Sequence, residues 1–145
     1  MDSLFALHQD LFTYVVEKGV DENKPGIYQW TIDGAGSYIG KYKRISRPTN
    51  EYGRNVRRLI RGAPYRKGKP GGYRLIHRAL ESAVQEKRCI ELRILENVDP
   101  VKINAREREL IQLYGSLNGP IPGLSKSNSD TDDGAAADQK GSRIE

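Results

Sequence analysis

Cysteine and histidine are scarce in this 145-residue chain, which has one cysteine and two histidines. A single cysteine, Cys89, excludes a disulfide within the chain, and its position in an apolar run favours a small core residue. Structural zinc sites need a full set of cysteine and histidine ligands, so we do not expect one here. A reduced, cytoplasmic setting fits this composition best.

Long apolar runs are also lacking. No segment approaches the ~18 consecutive apolar residues that a membrane helix needs. The N-terminus has neither the positive region nor the long apolar stretch of a signal peptide. We therefore expect no association with a membrane. The 37% of residues that are hydrophobic suffice for one domain with a modest core.

Acidic residues are rare in one third of the chain. Between Lys41 and Arg88 there are 15 Lys and Arg against three Glu, a net charge of +12, whereas the whole chain carries only +5. Such segregation is typical of polyanion-binding proteins, because lysine and arginine displace counterions from phosphates. Nucleic acid is therefore the expected partner, and a solvated surface with an accidental run of charge is the alternative.

A hairpin is the clearest local structure in the sequence. The segment Asp33-Gly34-Ala35-Gly36 separates two β-prone stretches, and glycine accepts the positive φ that hairpin turns require. We predict paired antiparallel strands over residues 26–32 and 37–43. Tyr28 and Tyr38 would then lie close together beside the basic stretch.

The remaining segments predict helices and one more strand. Apolar residues at helical spacing indicate an N-terminal helix within residues 1–20. Pro48 is tolerated in a first helical turn and starts a second helix. This second helix runs to about residue 61. The elements predicted after it, in chain order, are a loop over 62–72, a helix over 73–87, a strand over 89–96 and a helix over 101–114.

The predicted fold class is α/β. A small three-stranded antiparallel sheet is flanked by helices in the order β-β-α-α-β-α, with the N-terminal helix as an addition. The main domain spans residues 25–120. Residues 123–145 contain almost nothing apolar, and we expect them to be disordered.

The last predicted helix carries a carboxylate on its apolar face. Leu110, Ile111 and Tyr114 form the buried stripe, and at ~100° per residue Glu107 falls in the middle of it. An inward carboxylate needs a compensating partner, because burying an unpaired charge is costly. A divalent cation is one such partner. The alternative is a capping box, Asn104-x-x-Glu107, in which the glutamate only reaches back to a backbone N–H.

These features together resemble the GIY-YIG nuclease domain, which some homing and restriction endonucleases and the bacterial excision-repair nuclease share. The resemblance covers roughly residues 25–118. It rests on Gly26-Ile27-Tyr28, Tyr38-Ile39-Gly40 ten residues later, an arginine-rich helix, Glu107 ahead of Leu110-Ile111, and Asn118.

The resemblance implies metal-dependent hydrolysis of DNA with one Mg²⁺ or Mn²⁺. Glu107 matches the metal-binding carboxylate, and Tyr28 matches the tyrosine that acts as general base or activates the attacking water. Tyr38 matches the supporting tyrosine, and Asn118 matches an asparagine that holds the structure near the site. A tyrosine with a pKa of ~10 is a poor base at neutral pH, so we expect nearby cations to favour its phenolate. Alternatively, the two tyrosines are cross-strand core aromatics.

The family's arginine is where this chain departs from the pattern. Arg47, seven residues after Gly40, is nearest to the expected position, and Tyr52 would be its partner one turn later. Arg44 and Arg54 are competing candidates. The role of this arginine would be to neutralise charge that grows on the phosphate.

Further candidate residues surround this set. His77 is either a surface histidine paired with Glu81 or a phosphate contact or proton relay near the cleft. Basic side chains are expected to contact the DNA; they are Lys41, Lys43, Arg44, Arg54, Arg57, Arg58, Arg66 and Lys67.

The expected function is that of a compact, restriction-like endonuclease. We see no separate recognition domain, so sequence would be read through the protein's own loops, and a palindromic target would call for a homodimer. Two alternatives stay open: a catalytically inactive DNA- or RNA-binding module on the same scaffold, and a structural basic protein of a ribonucleoprotein or phage particle.

Overall fold

The computed structural model describes residues 7–66, 68–69 and 71–119. Lys67 and the predicted disordered segment 123–145 lie outside these residues. The described part is an α/β structure, as predicted, with helices against a mixed four-stranded sheet in the order β1-β4-β2-β3. Its strands are β1 (Phe12–Val16), β2 (Gly26–Ile32), β3 (Gly36–Tyr42) and β4 (Ile90–Asn97), and its α-helices are α1 (Tyr52–Ile60), α2 (Leu75–Gln85) and α3 (Ile103–Tyr114).

The predicted hairpin is confirmed. β2 and β3 are antiparallel, and the turn is closed by the backbone N–H of Ala35, which donates to the carbonyl of Ile32 at 3.0 Å. Gly34 adopts a φ of +78°, the left-handed conformation that favours glycine. The rings of Tyr28 and Tyr38 lie close together, with centroids 6.4 Å apart.

The predicted N-terminal helix is wrong over residues 8–20; of the described residues in this range, only Leu7 is α-helical. After a 3₁₀ turn at Gln9–Leu11, residues Phe12–Val16 form β1, which runs parallel to β4. The segment Phe-Thr-Tyr-Val-Val is rich in aromatic and β-branched residues, which suit a strand. The Phe12 ring also packs against Trp30, at a centroid distance of 6.1 Å.

The sheet therefore differs from the predicted three antiparallel strands. β4 lies between β1 and β2, and it is parallel to β1 and antiparallel to β2. The helix within residues 1–20 was predicted only from the spacing of its apolar residues. The strand partner, more than 70 residues away, decided the structure instead.

Helices cover opposite faces of the hairpin. Tyr28 and Trp30 pack with Tyr52 on the side of α1 and α2. Ile27 and Ile39, which point the other way, pack with Leu110 of α3. None of the helices in the described ranges has both the length and the apolar character needed to cross a membrane.

The predicted burial of Cys89 is wrong, because its side chain is exposed. Cys89 belongs to the tight connection between α2 and β4. In that connection Lys87 has a φ of 56° and the N–H of Arg88 donates to the carbonyl of Ala83 at 2.9 Å. The buried alternation of β4 begins one residue later, at Ile90.

Candidate functional site

The two outer glycines of the paired motifs each lie beneath a tyrosine ring of the neighbouring strand. Gly40 is paired with Tyr28, and Gly26 is paired with Tyr42. A Cβ atom at Gly40 would lie 2.9 Å from Cε1 of Tyr28 and closer still to Cζ and Oη, while one at Gly26 would lie 2.9 Å from Oη of Tyr42. The missing side chains therefore let the tyrosine rings cross their neighbouring strands. The ring of Tyr28 thus lies over β3, an outer strand of the sheet.

Three tyrosines form a packed cluster on the α1 side of the hairpin. The hydroxyls of Tyr28 and Tyr52 share a hydrogen bond of 2.6 Å, and their rings meet edge to face at 5.8 Å. Tyr38 contacts both rings at 6.4 Å. Tyr52 is fully buried.

Nearby cations favour the phenolate of Tyr28, as expected, but the burial of the side chain outweighs them. Only 1% of this side chain is exposed, and burial raises its pKa well above the ordinary value, with a further rise from Tyr38. The hydrogen bond to Tyr52 and the charges of Arg47 and Arg74 lower the pKa by less. Burial likewise raises the pKa of Tyr52. Both phenols therefore keep their protons at neutral pH.

Arg47 reaches this cluster because the chain before α1 forms a π-helical turn, Arg47–Glu51. A π turn takes about one residue more than an α turn, which brings the residue five positions later onto the same side. The guanidinium carbon of Arg47 lies 5.4 Å from the ring centroid of Tyr52, and Nη1 donates to Glu51 at 2.9 Å. The five-residue spacing between Arg47 and Tyr52 is thereby explained.

The other two candidates for this arginine position lie elsewhere. Arg44 lines a neighbouring cleft, and its side chain is exposed. Arg54 is exposed on α1. The charges that act on the pKa of Tyr28 are those of Arg47 and Arg74.

Arg74 is a site residue that the sequence analysis missed. Its Nη1 donates to the hydroxyl of Tyr38 at 3.4 Å. Its charge also lowers the pKa values of Tyr28 and Glu107, so one guanidinium contacts Tyr38 and acts electrostatically on Tyr28 and on the glutamate. Arg74 comes directly before α2, after a glycine-rich loop, and no periodicity marks such a position.

Glu107 lies at the outer edge of β3, half-buried on α3. Its carboxylate accepts a hydrogen bond from the backbone N–H of Lys41, the residue after Gly40. Burial raises the pKa of Glu107, and Lys41, Arg108 and Arg74 oppose that rise.

The capping-box alternative for Glu107 is wrong. No side-chain cap hydrogen bond is found at the start of α3. The amide oxygen of Asn104, the other member of the proposed box, instead accepts a hydrogen bond from Nζ of Lys41. Lys41 therefore contacts Asn104 through its side chain and Glu107 through its backbone.

The chemistry of this glutamate suits a hard divalent cation. Among the described residues no group of three or more His, Cys, Asp and Glu side chains is placed to hold a metal. A site with one protein carboxylate remains compatible with Mg²⁺, which usually keeps several waters and takes further oxygens from substrate phosphates. A carboxylate with a pKa raised by burial would also gain from a nearby positive charge. Glu107 therefore fits as the single protein ligand.

Asn118 holds the outer backbone of β3. Its Oδ1 accepts from the N–H of Ile39 at 2.9 Å, and its Nδ2 donates to the carbonyl of the same residue at 2.8 Å. Ser37, two residues before Ile39, also has both backbone groups bonded. Its N–H donates to the Ser116 hydroxyl, and its carbonyl accepts a hydrogen bond from the N–H of Leu117. Asn118 thus fixes the strand between Tyr38 and Gly40.

His77 is neither exposed nor paired with Glu81. Only 1% of it is exposed, and its Nδ1 accepts the backbone N–H of Arg74 at 3.0 Å. Its ring lies 5.3 Å from that of Tyr52. Burial, helped by Arg74, Arg47 and Arg78, lowers the pKa of His77 to about 4. The imidazole is therefore neutral at pH 7 and supports the tyrosine cluster from behind.

The predicted DNA-contacting residues fall into separate groups. Lys41, Lys43 and Arg44 line a cleft of about 610 Å³, together with Arg47. Arg66 is exposed in the loop between α1 and α2, with its guanidinium 4.9 Å from the Tyr65 ring. The other predicted DNA-contacting residues that the structure describes are on α1, where Arg54 is exposed and Arg57 and Arg58 are half-buried.

No protein-family model, no curated protein and no solved structure matches the chain.

Proposed function

We propose that this protein is a metal-dependent endonuclease of the GIY-YIG type that hydrolyses DNA phosphodiester bonds. The observation that carries this proposal is the meeting of unlike groups at the edge of β3. Tyr28 and Tyr38 pack together, and the guanidinium of Arg74, which is bonded to Tyr38, also acts electrostatically on the carboxylate of Glu107. Arg47 approaches the same cluster from the π-helical turn.

Each group has a role that suits phosphodiester hydrolysis. Glu107 would hold Mg²⁺ or Mn²⁺, which when bound supplies Lewis-acid chemistry at a phosphate oxygen. Arg47 and Arg74 would neutralise charge that develops on the phosphate, since guanidinium binds phosphate oxygens in a planar, forked geometry.

The tyrosines would act in their protonated form. Tyr28 and Tyr52 have raised pKa values and share a 2.6 Å hydrogen bond. In this proposal Tyr28 and Tyr38 orient the attacking water and the phosphate as hydrogen-bonding partners, and Tyr28 does not rest as a phenolate. Asn118 would keep β3, and with it Tyr38, in position.

The family resemblance further suggests products with 5′-phosphate and 3′-hydroxyl ends. A compact domain that reads DNA through its own loops also suits a restriction-like enzyme that acts as a homodimer on a palindromic target. These finer features belong to the proposal and depend on cleavage itself being found.

A plasmid-cleavage assay tests the proposal. Supercoiled DNA is incubated with the whole chain and Mg²⁺ or Mn²⁺, and Glu107→Gln is compared with Glu109→Gln. Glu109 is a matched control because it is exposed on the same helix and pairs with Arg106 at 3.1 Å. We expect Glu107→Gln to lower the rate about 100-fold or more, the scale of losing a group that stabilises the transition state. Equal rates for wild type, Glu107→Gln and Glu109→Gln would contradict the proposal.

The burial of Tyr28 favours a second candidate function, a catalytically inactive DNA- or RNA-binding module. Tyr28 is fully buried and already bonded to Tyr52, so it could orient a water molecule only if the tyrosine cluster opened, whereas a binding module needs no such opening. For this candidate we expect salt-dependent DNA binding without cleavage, whichever of the two metals is supplied.

A further inference from the structure

A cleft of about 610 Å³ opens beside the candidate site, between the end of β3 and the start of α3. Its volume is in the range of pockets that hold small organic ligands, about 300–1,000 Å³. It shares Arg47 with the tyrosine cluster. A DNA strand that places a phosphate at Arg47 would therefore have its next nucleotide at this opening.

The walls of the cleft combine two kinds of surface. One part is apolar and comes from Pro25, Pro100, Ile103 and the ring of Tyr42. The hydroxyl of Tyr42, in a side chain that is only 3% exposed, has no hydrogen-bond partner among the described residues. A phosphate ion alone has no apolar surface that could pack against these residues.

The other part is cationic. Lys43 and Arg44 are exposed, and neither has an ion-pair partner within the described ranges. Arg47 completes this side, although it is paired with Glu51 at 2.9 Å. An apolar wall facing a group of cations complements a ligand with one flat, weakly polar part and one anionic part, which is the chemistry of a nucleotide.

We propose that this cleft binds one unpaired nucleotide of the DNA strand, with its base against the apolar wall and its phosphate at Lys43 and Arg44. This inference rests on the proposed function, and it names the substrate class. A base within a duplex is stacked and paired, and it must leave the stack before it can enter a pocket. DNA with an unpaired nucleotide next to the cut would therefore be preferred to a perfect duplex.

Binding of a mononucleotide to the whole chain tests the cleft without any cleavage. Thymidine 5′-monophosphate and inorganic phosphate are titrated separately, and the backbone amides of Lys43, Ile103 and Asn104 are followed by NMR. We expect the nucleotide to bind about tenfold more tightly than phosphate, because base contacts add to the ionic ones. Equal affinities would overturn the proposal, and so would equal binding of a short acidic peptide.

A pair of variants on α3 locates the binding. Asn104→Trp places a large side chain at the cleft, whereas Gln112→Trp adds the same bulk at an exposed position two turns along, outside the cleft lining. We expect Asn104→Trp to weaken nucleotide binding about tenfold or more, as filling a ligand pocket does, and Gln112→Trp to leave it unchanged. An equal effect of both variants, with the fold intact by circular dichroism, would overturn the assignment.

The preference for unpaired DNA is tested by competition between a perfect duplex and the same duplex with one bulged nucleotide, in the absence of metal. We expect about tenfold tighter binding of the bulged duplex, since its extra base is already unpaired; equal binding overturns the inference. Nucleotide binding without cleavage of any DNA would refute the nuclease proposal and leave the cleft assignment standing. Cleavage of DNA with neither a preference for the bulged duplex nor binding of the nucleotide would support the nuclease proposal and refute the cleft assignment.

Discussion

Replacing Gly40 with alanine should destabilise the protein, although alanine is normally the better residue within a strand. Gly40 is not among the residues with positive φ, so the backbone accepts a side chain, and this change would ordinarily stabilise by about 0.5–1 kcal/mol. The new Cβ, however, would meet the far end of the Tyr28 ring, 2.9 Å from Cε1 and closer to Cζ and Oη.

The size of the loss follows from the packing around Tyr28. The ring is 1% exposed, so it cannot move into solvent, and overpacking of this kind costs about 1–3 kcal/mol. A shift of the ring would also strain its 2.6 Å hydrogen bond to Tyr52, worth about 1 kcal/mol. After the intrinsic gain is subtracted, we expect Gly40→Ala to lower the free energy of unfolding by about 2 kcal/mol.

Urea unfolding, followed through the fluorescence of Trp30 (the only tryptophan), measures this loss. The telling comparison is the same change in a Tyr28→Leu background, because leucine lacks all three clashing ring atoms. There Gly40→Ala should be neutral or stabilise by about 0.5 kcal/mol. Gly68→Ala, where nothing lies within 4 Å of an added Cβ, is the control and should change stability by less than about 0.5 kcal/mol. An equal loss at Gly40 in both backgrounds would refute the steric explanation.

Three further predictions concern stability and binding. Asn118→Ala should lower the free energy of unfolding by about 2 kcal/mol, since two hydrogen bonds to Ile39 are lost, and hydrogen exchange of the Ile39 amide should accelerate; an unchanged exchange rate would contradict this role. His77 takes up a proton near pH 6.5 when unfolded but only near pH 4 when folded, so stability should fall by about 3 kcal/mol as the pH is lowered through this window. Urea unfolding of His77→Gln should give a flatter pH dependence, and a slope like that of the wild type would show that another group is responsible. Arg44→Ala should reduce the slope of log Kd against log salt for DNA by about 1, whereas Arg106→Ala should not, because Glu96 already pairs with Arg106 at 2.7 and 3.0 Å; equal slopes for the two variants in a fluorescence-anisotropy titration would count against the cationic cleft.

Local signals predicted the parts of the fold that local interactions determine. The Asp33-Gly34 turn specifies the hairpin within its own few residues, and the two later helices and β4 follow apolar periodicity. β1 was missed because its partner, β4, begins at Ile90, and no pattern in residues 12–16 shows that partner. A helical spacing of apolar residues is also present by chance in a chain segment that is mostly apolar.

The candidate site was predictable where its residues lie on the hairpin and on the helices that local sequence signals predicted. Tyr28 and Tyr38 lie on the predicted hairpin, where their rings pack together, and Glu107 lies on the predicted last helix, α3. Arg74 could not be found, since its contact with Tyr38 depends on the path of the loop before α2. The burial of His77 also depends on that path, because the rings of Tyr65 and Tyr73 lie against it at 5.8 and 6.0 Å.

The hydrogen bonds along β3 have a consequence for self-association. An outer strand with unpaired backbone groups invites strands of other chains, which leads to sheet extension or aggregation. In β3 the outward N–H and carbonyl groups of Ser37 and Ile39 are already taken by Ser116, Leu117 and Asn118. The segment after α3 therefore substitutes for a fifth strand and closes this margin of the sheet. A homodimer built by joining sheets would have to use the opposite outer strand, β1, and would leave β3 facing outward.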